Sequence, residues 1–157
     1  MEFERPLSSW TPGDTPAAPS EIYAYVADLD RWVLPRDRGT HAGHLVAGLV
    51  YLDRYPLPEA LRRVRSAISG YNTATGTPNT ATSGYHETLT RWYLQEIDTW
   101  RRTAPDGDPG QRVEALLASP LADSDAPLRS YRAETVHSPE ARRTWVAPER
   151  DRLLQAS

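Results

Sequence analysis

Fourteen prolines punctuate the 157-residue chain, and their placement limits its fold more than any other feature. That frequency exceeds the usual share of about 5%. Proline lacks a backbone N–H and clashes with the preceding helical turn. Helices in this chain must therefore be short and end at prolines. Residues 1–19, with Pro6, Pro12, Pro16 and Pro19 around Trp10, read as an extended Pro-rich arm that packs back through Trp10.

From residue 20 onward, the sequence reads as a single helical domain, 20–157. Ser20 suits a cap with Glu21 in the first turn. Ile22, Val26, Leu29 and Val33 then recur at helical spacing until Pro35. Thr40 suits the cap of a helix from His41 to Arg54, whose stripe is Leu45, Leu49 and Leu52, widened by Val46 and Val50. Pro58 fits the first turn of a third helix. Its residues Leu57, Leu61, Val64, Ile68 and Tyr71 give the cleanest amphipathic period in the chain. A fourth helix over 85–102 carries His86, Leu89, Tyr93, Ile97 and Trp100 on one stripe. Val113, Leu116 and Leu117 predict a short fifth helix, residues 120–137 read as irregular, and Ser138-Pro139-Glu140 opens another helix that Trp145 and Val146 dock. No strand pattern and no internal repeat competes. The fold class is all-α, a small bundle of about four to six short helices.

Composition removes several kinds of function. The chain has no cysteine and no lysine, so all 18 basic residues counted as Lys or Arg are arginine. Thiolate nucleophiles, Cys-ligated metals, Schiff-base lysines and P-loop lysines are thereby excluded. A net charge of −3 argues against nucleic acid and against anionic membranes as partners. No run approaches the roughly 18 apolar residues of a membrane span. The acidic start Met1-Glu2-Phe3-Glu4 lacks the apolar region of a signal peptide, so a cytoplasmic protein is expected.

The chemistry-bearing residues gather at helix starts. His41 and His44, three apart, share a face of the second helix, and His86 opens the fourth beside Glu87. If those starts converge, the three imidazoles form a metal site, His41, His44 and His86, suited to a divalent ion. Alternatively, His86 and His44 serve in acid/base catalysis, with Glu87 orienting them. Between the third and fourth helices lies a polar loop, residues 72–84, longer than the ~2–8 residues usual in bundles. Asn79 from that loop, with Tyr85 and Thr90, is expected to line a substrate pocket.

Each assignment has a structural competitor. His41 and His44 also read as polar packing residues. His86 also reads as a core histidine bonded to Thr90, and Glu87 as the i,i+4 partner of Arg91. Arg62, Arg63 and Arg65 read as a solvated face. His137 reads as structural. The start His86-Glu87 is not a zincin motif, since Thr90 stands where its second histidine is required.

The run His41-x-x-His44-Leu45, Tyr51-Leu52, Tyr71 to Gly76 and Gly84-Tyr85-His86-Glu87-Thr88-Leu89-Thr90 resembles a family of small bacterial proteins of unassigned function. That family carries an H-x-x-H helix start and a Y-H-E-T-[IL]-T helix start. The resemblance covers roughly residues 38–102 and implies no reaction; it points to the same side chains as their spacing does. Two expectations follow. One is a small helical enzyme or enzyme-like binder acting on a polar small molecule. The other is a non-catalytic interaction module or homo-oligomeric structural protein, for which the aromatic content and the arm are suited.

Overall fold

The computed structural model describes residues 10–14, 18–104 and 106–150. Among them the fold is all-α, with no strand. The helices are α1 (Pro19–Asp30), α2 (His41–Arg54), α3 (Leu57–Ala74), α4 (Glu87–Thr103), α5 (Pro109–Leu117), α6 (Ala133–Val136) and α7 (Pro139–Arg143). Single 3-10 turns at Arg36–Arg38, Pro120–Ala122 and Ala126–Arg129 join them. No helix among the described residues is long and apolar enough to cross a membrane.

Helix α2 is the centre of the molecule. Every residue from Leu45 to Leu52 is buried, because α1, α3, α4 and α5 all pack on it. An apolar stripe is what sequence periodicity predicts for a helix covered on one side; a helix covered all round needs apolar or small residues at every position. Ala47 and Gly48 fill those remaining positions. The predicted stripe of α3 holds, with Val64, Ile68 and Tyr71 buried. On α4 the buried residues are Thr88, Trp92, Leu94 and Ile97, while Leu89, Tyr93 and Trp100 of the predicted stripe are only half-buried. The reason is that α4 packs against α2 and α3 on one side and α7 on another. Thr40 caps α2 by accepting the Gly43 N–H at 3.0 Å, and Ser138 caps α7 by accepting the Ala141 N–H at 3.1 Å.

The first helix departs from expectation at both ends. Its N-cap is Ala18 rather than Ser20, and Pro19 takes the first helical position. Glu21 Oε1 accepts the Ala18 N–H at 3.2 Å, which replaces a serine cap. At the other end, the helix stops at Asp30, well before Pro35. Trp32 adopts φ 63°, and the N–H groups of Val33 and Leu34 both turn back to the Asp28 carbonyl at 3.0 and 3.3 Å. A left-handed conformation costs a non-glycine residue about 1–2 kcal/mol. Here the indole offsets it by donating to the Ser66 carbonyl at 3.2 Å and lying against Gly70 of α3, where any side chain would collide with it. Val33 consequently points outward, 62% exposed, and is not part of the buried stripe.

Of the expected arm, most residues lie outside the described ones. Trp10 is fully buried and meets the Tyr25 ring edge-on, with centroids 5.6 Å apart. Arg38 donates to the Trp10 carbonyl and to Thr11 Oγ1, which fastens this segment to the 3-10 turn that precedes α2.

The region 120–137, expected to be irregular, contains two 3-10 turns and α6. These short elements form a second apolar cluster of Trp92, Ala126, Tyr131 and Val136, against which Trp145 and Val146 pack. Thr88, fully buried on α4, stitches the last segment in place. Its hydroxyl donates to the Thr144 carbonyl at 2.7 Å and accepts the Val146 N–H at 3.0 Å.

Candidate functional site

The starts of α2 and α4 do converge. With α3 they enclose a cleft of about 420 Å³ lined by His41, His44, Tyr85, His86 and Thr90, together with Asn72, Thr77 and Tyr93. Leu45, Val64, Ile68, Leu89, Leu94 and Ile97 complete its wall. The size falls within the roughly 300–1,000 Å³ of small-molecule sites. The wall is more apolar than the polar loop led us to expect.

The three imidazoles face one space but are in three different chemical states. His86 is the N-cap of α4: its Nδ1 accepts the Leu89 N–H at 3.1 Å. Its Nε2 lies 2.6 Å from the Val136 carbonyl. A carbonyl can only accept, so the proton is on Nε2 and the ring is neutral. Burial, with Arg142 nearby, lowers its affinity for a second proton against the opposing pull of the Val136 carbonyl. Both nitrogens are therefore committed to backbone. The roles of metal ligand and acid/base catalyst expected of His86 do not fit this arrangement, and its partners are Leu89 and Val136 rather than Thr90.

His41 Nε2 is bonded to the Leu121 carbonyl at 3.2 Å, and its ring meets Tyr93 edge-on at 5.0 Å. His44 differs from both. Its Nε2 is enclosed and has no hydrogen-bond partner. Burial, reinforced by His41, holds its pKa down to about 4. It is thus a neutral imidazole, on a residue of the cleft lining, whose buried Nε2 is uncommitted. Among the described residues, no group of three or more His, Cys, Asp or Glu side chains is arranged to hold a metal ion. The proposed triad fails because two of its rings have already given Nε2 to backbone carbonyls.

Glu87 does not pair with Arg91. It takes a bidentate pair from Arg65 of α3, Nε to Oε1 at 2.9 Å and Nη2 to Oε2 at 2.7 Å. Tyr85 Oη also donates to Oε1 at 2.7 Å. Burial pushes the Glu87 carboxyl up, but the Arg65 guanidinium and the Tyr85 hydroxyl outweigh it, and the group sits below its ordinary value. Burial, then the Glu87 carboxylate, pushes the Tyr85 phenol up. Glu87 thus orients Tyr85, a residue of the cleft, instead of a histidine. Arg91 stacks over the Trp145 ring at 4.4 Å. Of the three arginines read as a solvated face, Arg62 and Arg63 do pair locally with Glu59; Arg65 does not belong with them.

Asn79 is not in the cleft wall. Its side chain staples the loop instead. Oδ1 accepts from Tyr85 N at 2.9 Å and from Asn72 Nδ2 at 3.1 Å, while Nδ2 donates to the Ser69 carbonyl at 2.9 Å. Gly84 makes that staple possible. Its φ of +80° is left-handed, and a Cβ there would strike the Pro78 carbonyl and Asn79. The expected loop start at 72 is corrected by α3, which runs to Ala74. The last turn of α3 brings Asn72 to the cleft and the loop brings Thr77, two residues that the uniform Thr/Asn composition gave no reason to single out. Arg65 was also missed; a charge run gives no sign that one member reaches across to another helix. His137 is the C-cap of α6, a structural position. Comparisons with protein-family models, curated proteins and solved structures find no match to this chain.

Proposed function

We propose that the protein binds a compact small molecule with an apolar body and one hydrogen-bonding group, which His44 engages inside the α2–α3–α4 cleft. The observation that carries this reading is the enclosed, unpartnered Nε2 of His44, a residue of the cleft lining. A buried polar atom left unsatisfied costs about 1–3 kcal/mol. A bound hydroxyl or carbonyl would recover that cost, and the aliphatic wall would cover the rest of the ligand. Tyr85, held by Glu87 and Arg65, is the second polar contact. The resemblance to the H-x-x-H family points to the same side chains. Divalent metal is not part of this reading.

The interaction-module alternative has less support. Four large apolar side chains are exposed among the described residues: Tyr23, Trp32, Val33 and Leu128. Trp32 is already engaged with Ser66 and Gly70, and Tyr23 lies under the Arg54 guanidinium at 5.2 Å.

Calorimetric titration with 2-naphthol and its hydrocarbon counterpart 2-methylnaphthalene tests the proposal. The naphthol is expected to bind about tenfold more tightly, the equivalent of one hydrogen bond to an otherwise orphaned group. His44→Leu is expected to abolish that preference while leaving hydrocarbon affinity in place. Equal affinities in the unmodified protein would refute the reading.

A further inference from the structure

A second cavity, of about 300 Å³, lies against the opposite part of α4. Trp92, Glu96, Thr99 and Thr103 recur at intervals of four, three and four along α4 and form one wall. The segments carrying Ser119–Leu121 and Ala126–Ser130 form the other. None of the chemistry assigned to the first cleft involves these side chains.

One polar group among the residues of this wall is unexplained. Trp92 is only 5% exposed, yet its indole N–H has no acceptor in the protein. A buried tryptophan usually places that N–H on a partner. Leaving it unpaired costs as much as leaving any buried donor unpaired. The indole can donate but not accept, so what answers it must be an acceptor. The rest of the wall narrows the choice. Trp100 supplies a flat ring and Leu121 an aliphatic contact, which suit an aromatic body. Glu96 and Arg129, the two charged residues of the lining, have opposite signs, so the cavity has no net charge with which to select an ion.

We infer that this cavity is a second ligand site, for a neutral aromatic molecule whose carbonyl or ring nitrogen accepts the Trp92 N–H. The site is independent of His44, and the two can succeed or fail separately.

The test uses the full chain, labelled with ¹⁵N, and two probes of matched shape, 2-acetylnaphthalene and 2-ethylnaphthalene. The Trp92 indole resonance is assigned as the one missing from Trp92→Phe. The ketone is expected to move that proton downfield at saturation and to bind 5- to 10-fold more tightly than the hydrocarbon, about one hydrogen bond's worth. In Trp92→Phe the two probes are expected to bind equally. Thr103→Trp, an exposed position at the rim, is a second variant that leaves the indole intact; it is expected to weaken the ketone. His44→Leu is expected to leave the Trp92 shift unchanged. Failure of the ketone to bind, or binding that leaves the Trp92 resonance in place, overturns the inference. Equal affinity for ketone and hydrocarbon does the same, since it means that the ketone gains nothing from the Trp92 N–H.

Discussion

Two histidines in one cleft show how much a side chain's neighbours decide its chemistry. His44 and His86 are the same residue type facing the same space, but His86 has spent both nitrogens on backbone and His44 has one to offer. The consequence for pH is calculable. The His44 pKa of about 4 lies below the ~6.5 of the unfolded chain, so the unfolded state binds more protons between those values. Stability from this group is complete above pH 6.5 and falls as the pH drops toward 4, by up to about 3 kcal/mol. His44→Leu should flatten the pH 4–6.5 limb of the unfolding free energy measured in urea; the lowered His86 leaves a residual slope. His86→Ala should cost about 2–3 kcal/mol, because it strands the Leu89 N–H and the Val136 carbonyl together. His86→Asn should restore the cap alone and recover roughly 1 kcal/mol in the same assay. Sequence spacing located these histidines correctly. It could not report the tautomer of His86, because that is set by Val136, a residue far away along the chain.

At the level of elements, the site depends on one tie between neighbouring helices. Arg65 of α3 grips Glu87 at the start of α4, and Glu87 in turn holds Tyr85 at the cleft. Arg65→Met should lower the stability by about 1 kcal/mol, the scale of a well-formed bidentate pair that is partly exposed. Arg62→Met should change it far less, since Arg62 is 70% exposed and meets its own helix neighbour. Thermal unfolding of the two variants side by side gives the comparison. The helices themselves were legible to the extent that each obeyed a local rule. Thr40, Ser138 and the α3 stripe depend on nearby residues and were found. The early end of α1 was not, because Trp32 is held in its left-handed turn by Ser66 and Gly70 of a different helix. The short elements between 120 and 137 were missed for a related reason: their shape comes from packing around Trp92 and Tyr131, not from periodicity.

Across the whole molecule, the end of the chain returns to the middle. His86 reaches Val136, and Thr88 reaches Thr144 and Val146, across 50 to 58 residues of sequence. Thr88→Val keeps the shape of a fully buried side chain while removing both hydrogen bonds. It should cost about 2–3 kcal/mol, and amide hydrogen exchange should accelerate at Val146 before it does in α2. This long-range stitching also sets an order of events during synthesis. The α2–α3 pair can assemble as soon as it leaves the ribosome. The first turn of α4, which lines part of the histidine cleft, must wait for residues 136–146 before the side chains of His86 and Thr88 are satisfied. A nascent chain halted short of them would have its helices in hand and the histidine cleft still unfinished.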